Sequence, residues 1–80
     1  HPSALTEGGL AAALPELAGR ASVPVELRAD DGRAPAPIEA AAYFVCAEAL
    51  TNVAKYAGAT RVTIDVRREP ARLTVTIAAE

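Results

Sequence analysis

Three features of the sequence predict an α+β two-layer sandwich. The run from Ile38 to Tyr56 holds neither glycine nor proline and has the length of a long helix. Two later stripes, Val62/Ile64/Val66 and Leu73/Val75/Ile77, alternate with polar residues at the period of half-buried strands. A third alternating stripe and a shorter helical one precede them, giving the order helix-strand-helix-strand-strand. One sheet of three strands, with two helices on its apolar face, buries all of these stripes together.

Each element has its own signals. Residues 1–9 read as an entry segment containing Gly8 and Gly9. Leu10, Ala13, Leu14 and Leu17 share a helical face, and Gly19 is suited to end that helix. Pro15 lies inside the stretch, so the helix either kinks there or begins near residue 12, with Pro15 in its first turn. Val23, Val25 and Leu27 form the short strand stripe, and Pro24 directs it to a sheet edge. Ala29 to Ala36 follows as a loop, marked by Asp31-Gly32 and Pro35. The long helix then spans 37–57, with Pro37 at its first position and Gly58 as terminator. Glu69-Pro70-Ala71 separates the last two stripes at hairpin length, giving an antiparallel hairpin over 61–78.

Composition limits what this single 80-residue domain can do. Apolar residues make up 51% of the chain, but 20 of them are alanine, which leaves 21 larger hydrophobes and a thin core. Cys46 is alone and His1 is the one histidine, so neither an internal disulfide nor a structural zinc site is available. Cys46 reads as a small core side chain with no histidine near it in sequence to activate it. The net charge is -2 and the basic residues do not cluster beyond Arg67-Arg68, which reads as a solvated strand end; nucleic acid is not an expected partner. The longest apolar run, Ala40 to Ala47, is far short of the ~20 residues of a membrane span. The first residues lack the basic and apolar blocks of a signal peptide, and Gly8-Gly9 lacks the context of a P-loop. A cytoplasmic setting is expected.

At about 100° per residue, Ile38, Ala42, Val45, Ala49 and Val53 form one apolar sector of the long helix. Glu48, Asn52 and Lys55 fall within a ~60° sector bordering it, with Thr51 just beyond. Such a flank, taken alone, is a solvated face whose side-chain pairs are each worth about 0.2–0.5 kcal/mol. Asparagine, however, competes with the helical backbone for hydrogen bonds, so Asn52 in an alanine-rich helix asks for a reason. An amide oxygen is a hard neutral ligand suited to Mg²⁺, a nearby lysine neutralises phosphate, and a glutamate orients water or a nucleophile.

The stretch Glu48-Ala-Leu-Thr-Asn52-Val-Ala-Lys55-Tyr56-Ala57 resembles the N box of sensor histidine kinase ATP-binding domains, in the nitrate- and desiccation-sensor subfamily that begins the box with glutamate. The similarity extends to His1-Pro2, Leu5, Gly9-Leu10, Ala13-Leu14 and Leu17-Ala18, to Val23-Pro24-Val25-Glu26-Leu27, and to Ala40-Ala41-Ala42-Tyr43-Phe44. The resemblance implies a partial Bergerat-type fold of the GHKL ATPase superfamily. It implies that Asn52 holds the Mg²⁺ that bridges the ATP phosphates, that Lys55 and Tyr56 line the phosphate side, and that Glu48 is the catalytic group near the transferring phosphoryl. It also implies a histidine acceptor on a separate dimerisation domain and, through the parent protein, a response regulator. Catalysis in such a site is positioning and charge neutralisation. His1 matches the linker into the domain and is not the acceptor.

The sequence departs from the family's pattern at its end. Relatives continue the last strand into an Asp-x-Gly-x-Gly segment that recognises adenine; here the strand runs into Ala78-Ala79-Glu80, with Ala79 in the aspartate's place. The expectation is the phosphate and metal half of an ATP site without its adenine half. Such a fragment is inactive alone and weak in ATP binding, whether it is a cut from a kinase, cytoplasmic or on the cytoplasmic side of a membrane sensor, or a degenerate, non-enzymatic interaction module. Without following strands and a further helix, strand 72–78 is expected to self-associate.

Overall fold

The computed structural model describes residues 2–80, apart from the side chains of Tyr56 and Ala57. The expectation for His1 therefore lies outside the described residues. The described chain forms α1 (Ser3–Gly8), α2 (Leu10–Gly19), β1 (Val25–Ala29), α3 (Ala36–Asn52), a π turn (Val53–Ala57), β2 (Val62–Glu69) and β3 (Arg72–Ala79). It is an α+β domain in which helices pack on one face of a three-stranded mixed sheet.

The sheet order is β1-β2-β3. β1 runs parallel to β2, with Leu27 beside Ile64, and β3 runs antiparallel to β2, with Ile77 beside Ile64. One row across the sheet is thus Leu27–Ile64–Ile77 and the next is Ala29–Val66–Val75. All of these side chains face the helices, because alternate residues of a strand share a face. The central strand buries Val62, Ile64 and Val66 almost completely, whereas the edge strands leave their inward residues half-buried. Pro24 precedes an edge strand, as expected, although the strand itself starts two residues later than the apolar stripe, at Val25, and includes Ala29, which the sequence reading assigns to the following loop.

The helical layer supplies Leu5, Leu10, Ala13, Leu14, Ala42, Cys46 and Leu50. Each buried leucine contributes about 1.5–3 kcal/mol, whereas the alanines mainly permit close approach. The entry segment is a correction to the sequence reading: residues 3–8 form α1, and Leu5 is among the most deeply buried side chains. One large apolar residue in six carries too little periodicity to announce a helix. α2 begins at Leu10 rather than near residue 12, so Pro15 sits in its interior on the solvent side. Gly19 is its last residue rather than a terminator beyond it.

α3 is rotated relative to the sequence expectation. Its buried residues are Glu39, Ala42, Cys46 and Leu50, not the Ile38/Val45 sector. Ile38 and Val45 are 46% and 50% exposed, and Phe44 is 63% exposed. Hydrophobicity alone favours the Ile38/Val45 sector, but a charged residue, Glu39, occupies the centre of the buried face. The α-helix also ends earlier than residue 57, passing into the π turn at Val53. Gly58 closes it with φ 58°, the left-handed conformation that glycine adopts without a Cβ penalty.

Candidate functional site

The N-box residues occupy the C-terminal end of α3 and the π turn. Glu48 and Asn52 are exposed on α3, and Lys55 is exposed on the turn. The expected position at the border of the buried face is therefore corrected: these side chains project into solvent, away from the buried row Glu39, Ala42, Cys46 and Leu50. The π turn changes the azimuth of Lys55 from that of a continuous α-helix, because a π turn holds more residues per turn. The side chain of Tyr56 lies outside the described residues.

Thr51 is accounted for by the helix itself, its hydroxyl donating to the Ala47 carbonyl at 3.0 Å. Neither Glu48 nor Lys55 belongs to an ion pair among the described residues. A groove of about 360 Å³ between α2 and α3 is lined by Lys55 and Thr51 together with Arg20 and Ser22; Glu48 and Asn52 lie outside it. No group of three or more metal-ligating side chains gathers among the described residues.

A second polar constellation went unnoticed in the sequence. Glu39 is only 3% exposed and is clasped by Arg33, whose Nε and Nη2 donate to its two carboxylate oxygens at 2.9 and 3.0 Å. The Ala34 N–H adds a third bond at 3.2 Å. The same guanidinium donates to the carbonyls of Thr6 and Glu7 at the end of α1. Bonding to Arg33, and secondarily to Ala34, holds the Glu39 carboxyl below the usual carboxylate range against the opposing effect of burial. Arg33 is raised in turn by Glu39. The first turn of a helix also favours a negative charge.

Gly9 makes this clasp possible. It has φ 72° and ψ -164°, a conformation reserved for glycine. A Cβ there would lie 2.6 Å from Arg33 Nε and 2.9 Å from Glu39 Oε2. Gly9 thus joins two helices and leaves room for an ion pair. Cys46 is fully buried, and burial raises its thiol pKa, in keeping with a core role. Arg68 is not the solvated strand end expected: it donates to the carbonyls of Arg33, Glu69 and Arg72, and so ties the 30–35 loop to the hairpin.

Comparison of the chain with known proteins returns no match to a family model, to a curated protein or to a solved structure.

Proposed function

We propose that the chain is part of the ATP-binding domain of a two-component sensor histidine kinase, a partial Bergerat-type fold carrying the Mg-phosphate half of the site. The supporting observation is the spacing Glu48/Asn52/Lys55 across the end of α3 and the π turn, with all three side chains exposed. In this reading Asn52 offers its amide oxygen to Mg²⁺, Lys55 and Tyr56 meet the phosphates, and Glu48 faces the transferring phosphoryl. Bound Mg²⁺ would neutralise phosphate charge. Phosphoryl transfer would go to a histidine of a separate dimerisation domain and from there to a response regulator, in a cytoplasmic setting. Ala79, where the resemblance expects the adenine-reading aspartate, makes the chain by itself a poor nucleotide binder and no kinase.

The test is a titration of the 80-residue chain with Mg-ATP, followed by backbone amide NMR shifts. The expected result is a low-affinity, millimolar interaction that moves the Asn52 and Lys55 resonances, requires Mg²⁺ and is lost in Asn52→Ala. Shifts that ignore Mg²⁺, or that map elsewhere, would overturn the reading.

A second reading is a degenerate, non-enzymatic interaction module of the same superfamily. It is favoured by Ala79 and by the exposed apolar flank Ile38/Phe44/Val45 beside the N box. A chain that shows no Mg-dependent shift yet retains its fold would support it.

A further inference from the structure

The basic side chains of this chain fall into two groups. Arg28, Arg33, Arg61, Arg67 and Arg72 each belong to an ion pair, and Arg68 is spent on the carbonyl oxygens of Arg33 and Arg72. Arg20 and Lys55 belong to no ion pair among the described residues, and both line the groove between α2 and α3. They stand on opposite walls: Arg20 caps the C-terminal end of α2, and Lys55 lies on the π turn that continues α3. A helix C-terminus favours a positive charge, which accounts for each cation alone but not for their meeting across one groove. No acidic side chain lines that groove, in a chain whose net charge is -2. The Arg20 guanidinium donates to the Tyr43 hydroxyl at 3.5 Å, a long and weak bond.

Between the two cations the lining is apolar. Leu50 is buried and Leu17 half-buried, and the short side chains of Ala21 and Ala47 leave the space above them open. A volume of about 360 Å³ lies at the small end of ligand pockets, which combine an apolar lining with a few placed polar groups. We propose that this groove binds a small organic anion, with its carboxylate or phosphate between Arg20 and Lys55 and a compact apolar body on Leu17 and Leu50. Ser22, also on the lining, offers its hydroxyl to the same head group, whereas the Thr51 hydroxyl is already given to the Ala47 carbonyl. An anion there relieves the repulsion between two like charges as well as attracting each of them. No residue of β3 or of the hairpin loop lines the groove, so its shape does not depend on what pairs with that strand. The site goes beyond the nucleotide reading. Glu48 and Asn52 lie outside the groove, Arg20 has no part in that reading, and the anion needs no Mg²⁺; the two share Lys55 alone.

Titration of the 80-residue chain with benzoate, phenyl phosphate and benzyl alcohol, without Mg²⁺ and followed by backbone amide NMR shifts, tests the site. Benzoate or phenyl phosphate should give saturable shifts on both walls, at Arg20, Ala21 and Ser22 on one and at Ala47 and Thr51 on the other. The tighter of the two identifies the head group. Benzyl alcohol carries a similar ring without the charge and should bind at least about tenfold more weakly. Arg20→Gln and Lys55→Gln should each weaken the anion by roughly three- to tenfold, and Ala47→Leu, which fills the floor, should exclude it. Circular dichroism would report that each variant is folded. Addition of Mg²⁺ should leave the affinity unchanged, whereas the nucleotide reading requires Mg²⁺, so the two fail separately. The absence of a saturable shift on either wall, equal binding of benzyl alcohol, or undiminished binding in both glutamine variants would overturn the proposal; the first two need no variant at all.

Discussion

Arg33 and Glu39 form a two-pronged ion pair, 2.9 and 3.0 Å long, that joins the end of α1, the 30–35 loop and the first turn of α3. The carboxylate is buried, and the guanidinium keeps a side open to water. An acid with so little exposure is tolerated only because each of its oxygens is bonded.

Because this pairing lowers the pKa of Glu39, the folded state binds its proton less readily than the unfolded chain does. The stabilisation is complete above the ordinary carboxylate range and is lost as the pH falls through the folded-state pKa. Glu39→Gln should therefore lower the melting temperature by several degrees at neutral pH, and the two proteins should converge in acid. A difference that persisted unchanged at low pH would show that the charge is not what matters.

Gly9→Ala should be among the most disruptive small substitutions. It combines a glycine-only conformation with a Cβ driven into the Arg33–Glu39 pair, and a loss of about 2–4 kcal/mol is expected in urea unfolding. Gly19→Ala, which meets open space, is the control and should be close to neutral or stabilising.

The nucleotide reading makes a specific demand on ligand preference. On the proposed function, in which Ala79 takes the place of an adenine-reading aspartate, Mg-tripolyphosphate and Mg-ATP should bind with similar, weak affinity, and adenosine alone should not bind. Calorimetry with the three ligands would settle this, and a marked preference for ATP over tripolyphosphate would count against it.

Cys46 should resist thiol reagents in the native state. It is fully buried and its pKa is raised by burial, so modification must await unfolding. The labelling rate should rise with denaturant in step with the loss of circular dichroism.

Arg68→Ala should cost about 0.5–1.5 kcal/mol by releasing the bonds that tie the Arg33 and Arg72 carbonyls together. The hairpin's two-residue loop, Pro70-Ala71, contains no positive φ, so it is not one of the primed turns that match strand twist. The loss should appear as faster amide exchange around residues 69–72.

The strands were legible in the sequence because strand alternation has a period of two and three stripes carried it; the parallel register of β1 on β2, and the place of Ala29 in that strand rather than in the following loop, were not. The long helix was legible from the lack of glycine and proline between Ile38 and Tyr56, although its α-helical part ends at Asn52 and only the π turn reaches Gly58. The rotation of α3 was not, since Ile38 and Val45 are as apolar as Cys46 and Leu50, and nothing local says which set faces the sheet. Glu39 decided it, and its partner lies in a loop that periodicity does not describe. The signal available was an acid in a first helical turn with an arginine six residues before it. Of the candidate site, residue types and spacing were legible, whereas the π turn that re-aims Lys55 was not, because it follows from backbone packing rather than from any one residue.

β2 pairs with two strands that are very differently placed along the chain. β3 is reached across a two-residue loop, whereas Val25 of β1 meets Val62 only after the whole of α3 has been laid down between them. Closing the short loop costs little entropy and closing the long one costs more. The hairpin is therefore the piece that can assemble first, and β1 is the last strand to find its place. A partly folded chain would carry a finished hairpin whose inner edge, the one β1 fills in the native sheet, is still open to other strands.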